Sequence, residues 1–469
     1  MSNAESRDAA AGAAQPRASL SVFDAVAMIV GIVIGAGIFR APSIVAGNVS
    51  GETMLFLLWL GGGLISLVGA LCYAELASAY PSAGGEYFFL TRAFGGWVGF
   101  LFAWARMSVV QTGAIAAVAF VFGDYASQLY SFGEHSSAVW AAIAVALCTA
   151  LNVAGTAPGK WLQNALTVTL VLAYAAIIVT AVLYSPPVVP AAFTPPSDPG
   201  IGLAMIFILL TYGGWNEGAY LSAELRGGRR DIVRALVLAI ALVTLLYLLM
   251  NYAYYHVLGL KGMAESKVIA ADMMKLTLGS AGAAVLAAII VLETLTTLNG
   301  SLFTGARTNY AVGRDFALFH FLGRWGVRSN APVAGLLWQG AIALALVGLA
   351  SLTPDGFQTM VAYTAPAFWL FFLLTGGSLF VLRRRVPLAA DPFRVPLYPL
   401  TPILFCAMCA YMLYSSASYA MSLDPGSVGA KIGIGMLLAG IPLLFFARPT
   451  SIALMAQRRG QQRDGATRP

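Results

Sequence analysis

The chain has 469 residues, 59% of them apolar and only 10% charged, with a formal net charge of +7. A composition this apolar excludes an ordinary soluble domain and reads as an all-α polytopic membrane protein. The positive balance does not mark a nucleic-acid binder, because the basic residues are dispersed between apolar runs, as they are in membrane loops.

Residues 1–20 are Ala-rich and polar, carry Arg7 and Arg17, and lack a signal peptide's apolar run, so they read as a disordered cytoplasmic tail. A bilayer core of about 30 Å needs roughly 20 apolar residues per helix. Twelve such spans follow, near 22–46, 54–79, 97–129, 137–155, 161–184, 200–225, 232–258, 281–312, 331–351, 357–382, 396–422 and 428–447. Residues 449–469 form a second polar tail.

Span 1 contains the stretch M-I-V-G-I-V-I-G-A-G-I-F-R-A-P, Met28 to Pro42. Its glycines Gly31, Gly35 and Gly37 weaken a helix by roughly 1 kcal/mol each relative to alanine. Backbone freed at membrane depth finds no water, so a broken helix there is expected to face a cavity and hold something in it. Span 6 repeats the anomaly in I-L-L-T-Y-G-G-W-N-E-G-A-Y, with Gly213, Gly214 and Gly218. Glycine-interrupted spans at matching places in two halves point to inverted repeats with a midplane site. The first repeat covers 21–185 (spans 1–5), the second 200–384 (spans 6–10), and spans 11 and 12 occupy 395–448. Residues 80–96 read as a short cytoplasmic helix between glycine turns, and 261–280 as a short external helix.

Loop charges set the orientation. With the N-terminus inside, the inner loops hold Arg92, Lys160, Arg226, Arg229, Arg230, Arg234, Arg307, Arg314, Arg324, Arg328, Arg383, Arg384, Arg385 and Arg394. The outer loops hold Lys261, Lys267, Lys275 and Lys431, with Arg40 near the outer end of span 1. Both termini are therefore expected in the cytoplasm.

The Gly35-Ala36-Gly37 amides open a half-helix, whose partial positive charge suits a carboxylate. The carbonyls of Val33 and Ile34, and of Leu210 to Gly213, suit an ammonium group, so the two breaks together fit a zwitterion. The plainer alternative is glycine for close helix packing. Arg106 and Glu293 both fall near the midplane at about 1.5 Å of rise per residue and are expected to pair. That pair is either structural or a contact with substrate or proton. Glu217, after the second break, either binds a cation, titrates or faces water. Glu75 and Glu224 lie near inner helix ends, where they fit a gate or salt bridges with loop arginines. Cys72, Cys148, Cys406 and Cys409 all lie in apolar segments and read as fillers. There is no P-loop and no metal-binding histidine spacing, and His135, His256 and His320 are isolated, so neither an enzyme nor an ATP-driven machine is expected and no metal is called for.

With these motifs in hand, the chain resembles the amino acid–polyamine–organocation superfamily, and most closely its L-type amino acid transporter branch with its bacterial relatives. The resemblance rests on V-G-I-V-I-G-A-G-I-F in span 1, Y-A-E-L-A-S-A-Y-P-S-A-G-G-E-Y over 73–87, Y-G-G-W-N in span 6, N-G-S-L-F-T-G-A-R in span 8 and P-F-R-V-P-L-Y-P-L-T-P before span 11. It implies the LeuT-type 5+5 inverted-repeat fold with discontinuous helices 1 and 6, and alternating access against a scaffold of helices 3, 4, 8 and 9. Carried over, Gly35, Ala36 and Gly37 hold the substrate carboxylate, Val33, Ile34, Leu210 and Gly213 its amine, and Tyr212, Trp215 and Asn216 shape the pocket and the break around Gly214. The chain departs from the family at Leu210, where relatives have a bulky aromatic gate. It departs again at Leu170, where relatives often have a lysine at a cation position. Thr296, Thr297, a sodium ion or a proton on Glu293 would then take that part. The loop between spans 3 and 4 lacks the cysteine through which animal members bond a partner glycoprotein, so no disulfide-linked heavy chain is expected.

The reading is a secondary transporter of amino acids, neutral ones first, in a bacterial inner membrane, working as an exchanger or an H+- or Na+-coupled symporter. It needs no resident cofactor and acts as a monomer or loose oligomer. A carrier of polyamines or cationic amino acids is the alternative within transport; a non-transporting sensor on the same fold, or a channel, lies outside it. Selection among amino acids falls to Leu210, Asn216, Glu217, Arg106, Gln111 and Glu293.

Overall fold

The structure, a computed structural model, describes residues 21–80, 84–155, 160–184, 193–196, 200–218, 229–326, 329–385 and 393–447. The two expected tails and Glu224, Arg226 and Arg328 lie outside the described residues, and the side chains of Lys160, Glu217, Arg229 and Arg230 are not among those described. The described residues are all-helical; the only extended pairing among them is an isolated bridge between Gly326 and Ala331.

The helices run in chain order as α1 (Val22–Val33), a 3-10 turn (Ala36–Phe39), α2 (Ala41–Ala46), α3 (Glu52–Ala79), α4 (Gly85–Phe94) and α5 (Gly96–Ala105). A π-turn (Arg106–Val110) leads into α6 (Gln111–Leu129), followed by α7 (Ser136–Val153), α8 (Lys160–Leu183), α9 (Ile201–Thr211) and α10 (Trp215–Gly218). Then come α11 (Arg229–Glu265), α12 (Ile269–Asp315), a 3-10 segment (Ala317–Gly323), α13 (Val333–Ala350), α14 (Gly356–Arg385), α15 (Leu400–Ala420) and α16 (Ser427–Leu443). Among the described residues, eight helices or joined helix pairs are long and apolar enough to cross a bilayer: α3, α5–α6, α7, α11, α12, α13, α14 and α15. Four shorter apolar helices, Val22–Val33, Val168–Leu183, Ile201–Thr211 and Ser427–Leu443, fall on the other four expected spans.

Large apolar side chains such as Leu57 and Leu64 on α3, Val171 and Leu172 on α8, and Leu242 and Leu245 on α11 face outward. Lipid accepts them, so these helices need no polar outer face. Small residues seat helices against one another: Gly123 abuts the Ser137 backbone, and Gly433 the Tyr363 backbone. All four cysteines are free thiols in packed or half-packed positions, as fillers would be.

Both expected loop helices are present. α4 lies between a turn and Gly95, whose φ of 100° ends it. The second is the start of α12, from Ile269 to a kink at Gly279, with Ile269, Ala270, Met273 and Met274 buried. The Ala270 amide donates to the Tyr125 hydroxyl at 3.3 Å, and Lys267 Nζ reaches the Pro354 carbonyl at 2.9 Å.

The interrupted helices divide their partners. α1 packs chiefly on α11 and α10, whereas α2 packs on α11 and α9, and the 3-10 turn between them on α12, α9 and α6. The α1 side is the more open: Phe23, Met28 and Ile32 are exposed, and Ala41 to Ala46 are buried throughout.

Candidate binding site at two broken helices

The first break begins where Ile34 and Gly35 turn extended, with ψ of 104° and −168°. The Ile34 amide still bonds the Val30 carbonyl at 2.9 Å; beyond it, the Gly35 amide meets no acceptor among the described residues. The opening amides of the 3-10 turn are without intrahelical partners by construction. A Cβ on Gly35 would enter open space. In the second break, the Gly213 amide folds back on the Leu210 carbonyl at 3.0 Å, Gly214 takes φ +106°, and α10 starts at Trp215.

The two breaks touch. A Cβ on Gly37 would lie 2.9 Å from Thr211 Oγ1, and one on Gly214 would lie 2.9 Å from Ile32 Cγ2 and 3.1 Å from its carbonyl oxygen. Tyr247 of α11 joins them: its hydroxyl lies 3.0 Å from the Val33 carbonyl and 3.1 Å from that of Thr211. One phenol thus holds the carbonyls that end α1 and α9. Of the carbonyls expected to face an ammonium group, Val33 and Thr211 are in the grip of Tyr247, and Leu210 is engaged by Gly213.

The aromatic residues after the second break pack against neighbouring helices. Tyr212 is buried, donates to the Trp59 carbonyl of α3 at 3.1 Å and packs on Trp59 and Tyr247. Trp215 sits among Tyr73, Phe372 and Phe405. Asn216 Nδ2 reaches Glu86 Oε1 at 3.4 Å. Leu210 is half-buried, and Leu170 on α8 is half-buried against the apolar core.

The expected ion pair between Arg106 and Glu293 is not formed. Arg106 Nη1 lies 3.6 Å from Glu86 Oε2. Glu86 also accepts the Tyr73 hydroxyl at 2.8 Å, so a carboxylate from α4 gathers α3, the π-turn and α10 around it. Glu293 is buried; its Oε1 accepts from Thr297 Oγ1 at 3.0 Å, and its Oε2 has no partner. Thr296 is turned away, bonding its own helix at Leu292. Gln111 Nε2 donates to the Ser301 carbonyl at 3.0 Å. The reason for the difference is rotational: rise per residue fixes a side chain's height but not its direction, and the π-turn at Arg106 resets the direction of the helix face.

Polar ties close the structure at both ends. At the end that the loop charges assign to the outside, Arg40 is 2% exposed, hydrogen-bonds Asp355, the residue before α14, and lies 3.5 Å from Asp124 of α6. Asp124 also accepts from Ser137 at 2.6 Å, and Asp355 from the Gln358 amide at 2.9 Å. Two cavities of about 250 and 230 Å³ flank the guanidinium. Beneath it, Phe39 stacks on Tyr174 at 5.4 Å and its carbonyl takes the Tyr125 hydroxyl at 3.0 Å. At the opposite end, Glu75 accepts Arg383 at 2.5 and 2.6 Å and the Val395 amide at 2.6 Å, the salt bridge expected of Glu75. Tyr87 of α4 bonds Asp315 at the end of α12; burial and that carboxylate push its phenol up to about 12.

Sequence reasoning missed Asp124, Asp355, Glu86, Tyr174 and Tyr247. Asp124 carried a signal, as an acidic residue inside a span. The others are ordinary in type and gain their meaning from what folds against them.

The amino acid permease family matches residues 20–446. Mouse b(0,+)-type amino acid transporter 1 is 30% identical over 404 residues, covering 84% of this chain and 81% of its own. The mouse large neutral amino acids transporter small subunit 2 is 30% identical over 445 residues, covering 91% and 80%. The serine/threonine exchanger SteT of Bacillus subtilis is 28% identical over 427 residues, covering 90% and 94%. These relatives are transporters and not enzymes, and the match runs through both broken helices and every tie described above. The chain belongs to the amino acid permease family, within the amino acid–polyamine–organocation superfamily.

Proposed function

We propose that the chain is a secondary active transporter that moves amino acids, neutral ones first, across a bacterial inner membrane by alternating access. In this reading twelve spans form the 5+5 inverted repeat plus two, both termini are cytoplasmic, and no disulfide-linked heavy chain is needed. The single observation that carries it is the contact of two broken helices, with amides free on one side and carbonyls held by a lone phenol on the other. Backbone groups left unsatisfied in a membrane core are costly unless they receive a ligand. The free amides suit a carboxylate. An ammonium group makes the same hydrogen bonds to carbonyls as the Tyr247 hydroxyl and can replace it.

The packing supports an arrangement tied at both ends, with the α1 half of the first break less buried than the α2 half. Arg40 and Phe39 seal the outer side, while α1 makes its main contacts with α11 and α10 alone. Ion coupling and exchange are both compatible with this geometry. A second reading, a carrier of cationic amino acids or polyamines, draws on the unpaired Oε2 of Glu293 and on the b(0,+)-type relative.

Counterflow in proteoliposomes tests the proposal. Vesicles preloaded with leucine are expected to take up labelled leucine, with alanine competing strongly and arginine and putrescine weakly. Competition by putrescine alone would replace this reading with the polyamine one. Absence of counterflow for the whole panel would favour a sensor.

A further inference from the structure

The end of α12 and the segment after it carry arginines that the broken helices do not use. Residues 300–330 hold Arg307, Arg314, Arg324 and Arg328 against a single acid, Asp315. Asp315 is tied to Tyr87 of α4. The neighbouring helices α7, α8 and α13 contain no acidic residue. Arg307 lies on the stripe of α12 that also carries Gly300, Phe303 and Ala311, all exposed. Its guanidinium carbon sits 3.3 Å from the centre of the Phe303 ring and 5.8 Å from that of Trp325. Trp325 is 38% exposed and meets Tyr310 edge-on at 5.2 Å, and the Arg314 guanidinium lies 5.9 Å over the Tyr310 ring. One N–H of Arg307 donates to the Phe303 carbonyl at 3.1 Å. Its other N–H groups meet no acceptor among the described residues, and neither Arg307 nor Arg324 meets a carboxylate among them.

The height of this cluster says what can reach it. Counted from Glu293, which the sequence places near the midplane, Arg307 lies roughly 21 Å further along α12 at about 1.5 Å per residue. A tilt of about 20° takes off only about 1 Å. With a hydrocarbon core of about 30 Å inside a bilayer of about 40–45 Å, that is the level of the headgroups. Tryptophan and tyrosine rings favour the same level, because one side of each is apolar and the other polar. A guanidinium with donors to spare there meets phosphate, whose oxygens match its planar fork. A soluble acidic protein would have to pass the headgroups to touch Arg307.

We propose that Arg307, with Arg314 and Arg324 beside the Trp325 and Tyr310 rings, forms a site for one anionic phospholipid of the inner leaflet. The lipid phosphate sits on the Arg307 guanidinium, and an acyl chain runs along the Gly300–Phe303 face of α12. The positive charge of the cluster selects a headgroup with net negative charge over a zwitterionic one. The site is separate from the broken helices and does not depend on which substrate or ion is carried.

The test uses the full-length protein in detergent, titrated with phosphatidylglycerol or phosphatidylcholine while the thermal midpoint is followed. Phosphatidylglycerol is expected to raise the midpoint saturably, at a half-saturating concentration at least tenfold below that of phosphatidylcholine. Arg307→Gln is expected to abolish this preference and Arg324→Gln to weaken it about threefold. Arg234→Gln, which removes an exposed cation from α11, is expected to leave it unchanged. Brominated phosphatidylglycerol is expected to quench wild-type tryptophan fluorescence more than it quenches Trp325→Phe. Equal response to the two lipids, or a full preference in both Arg307→Gln and Arg324→Gln, would overturn the proposal. Inorganic phosphate reproducing the shift would assign the site to a free anion instead. No response to either lipid would also overturn it and leave the face to an acidic protein segment. Should Arg307→Gln not fold, Arg307→Lys decides, being expected to keep the preference at reduced affinity, together with Arg324→Gln.

Discussion

Alanine in place of Gly214 is expected to reduce the initial rate of leucine counterflow at least tenfold. Gly214 sits at φ +106°, a conformation that costs an L residue roughly 1–2 kcal/mol. Its Cβ would also press on Ile32 at 2.9 Å and on the Ile32 carbonyl at 3.1 Å. Ile32 lies one residue before the carbonyl that Tyr247 holds, so pushing it away parts the breaks where the ligand is proposed to bind. The two penalties together exceed the ~1.4 kcal/mol that corresponds to a tenfold change. Gly435 on α16 is the control, since a Cβ there meets nothing within 4 Å. Counterflow normalised to reconstituted protein checks both variants. A Gly214→Ala rate above half that of wild type would show that the contact between the breaks is dispensable.

Replacing Arg40 with methionine is expected to cost stability and transport together. The guanidinium is buried between Asp124 and Asp355, with side-chain exposures of 13% and 20%, and bridges α2 to α6 and α14. Removing one partner of a buried ion pair leaves an uncompensated charge, typically worth about 3–5 kcal/mol. Here two carboxylates lose their common cation, and the outer seal loses its centre. The expected result is a lower thermal midpoint in detergent and counterflow below a tenth of wild type. Arg40→Lys is expected to recover only part of both, since an ammonium lacks the planar fork that spans two acids. Adding Asp355→Asn to Arg40→Met removes one of the stranded charges and is expected to restore stability but not transport. Wild-type stability and rate in Arg40→Met would remove Arg40 from the seal.

What could be read in the sequence was local. An apolar run of sufficient length is a helix in lipid wherever it sits, so the positions of the spans came from residues alone. Glycines crowded at 35–37 and 213–214 break a helix for reasons internal to that helix, and both breaks appear where they stand. The short helices near 85–94 and 269–278 follow from glycine turns and apolar spacing in the same way.

What only the tertiary structure decided was direction and partnership. Arg106 and Glu293 were matched by height, which the helical rise supplies, but the π-turn at Arg106 and the fold-back of α4 gave Arg106 to Glu86. Tyr212 and Trp215 were expected to shape the pocket and the break, and only the packed helices show what their side chains meet: the Trp59 carbonyl and the Tyr73–Phe372–Phe405 cluster. Tyr247 could not be singled out, since nothing local distinguishes a phenol that bridges two carbonyls from one that fills a core. Backbone conformation depends on neighbours a few residues away and is written along the chain, whereas the angle at which a side chain meets another helix depends on how all the helices pack together.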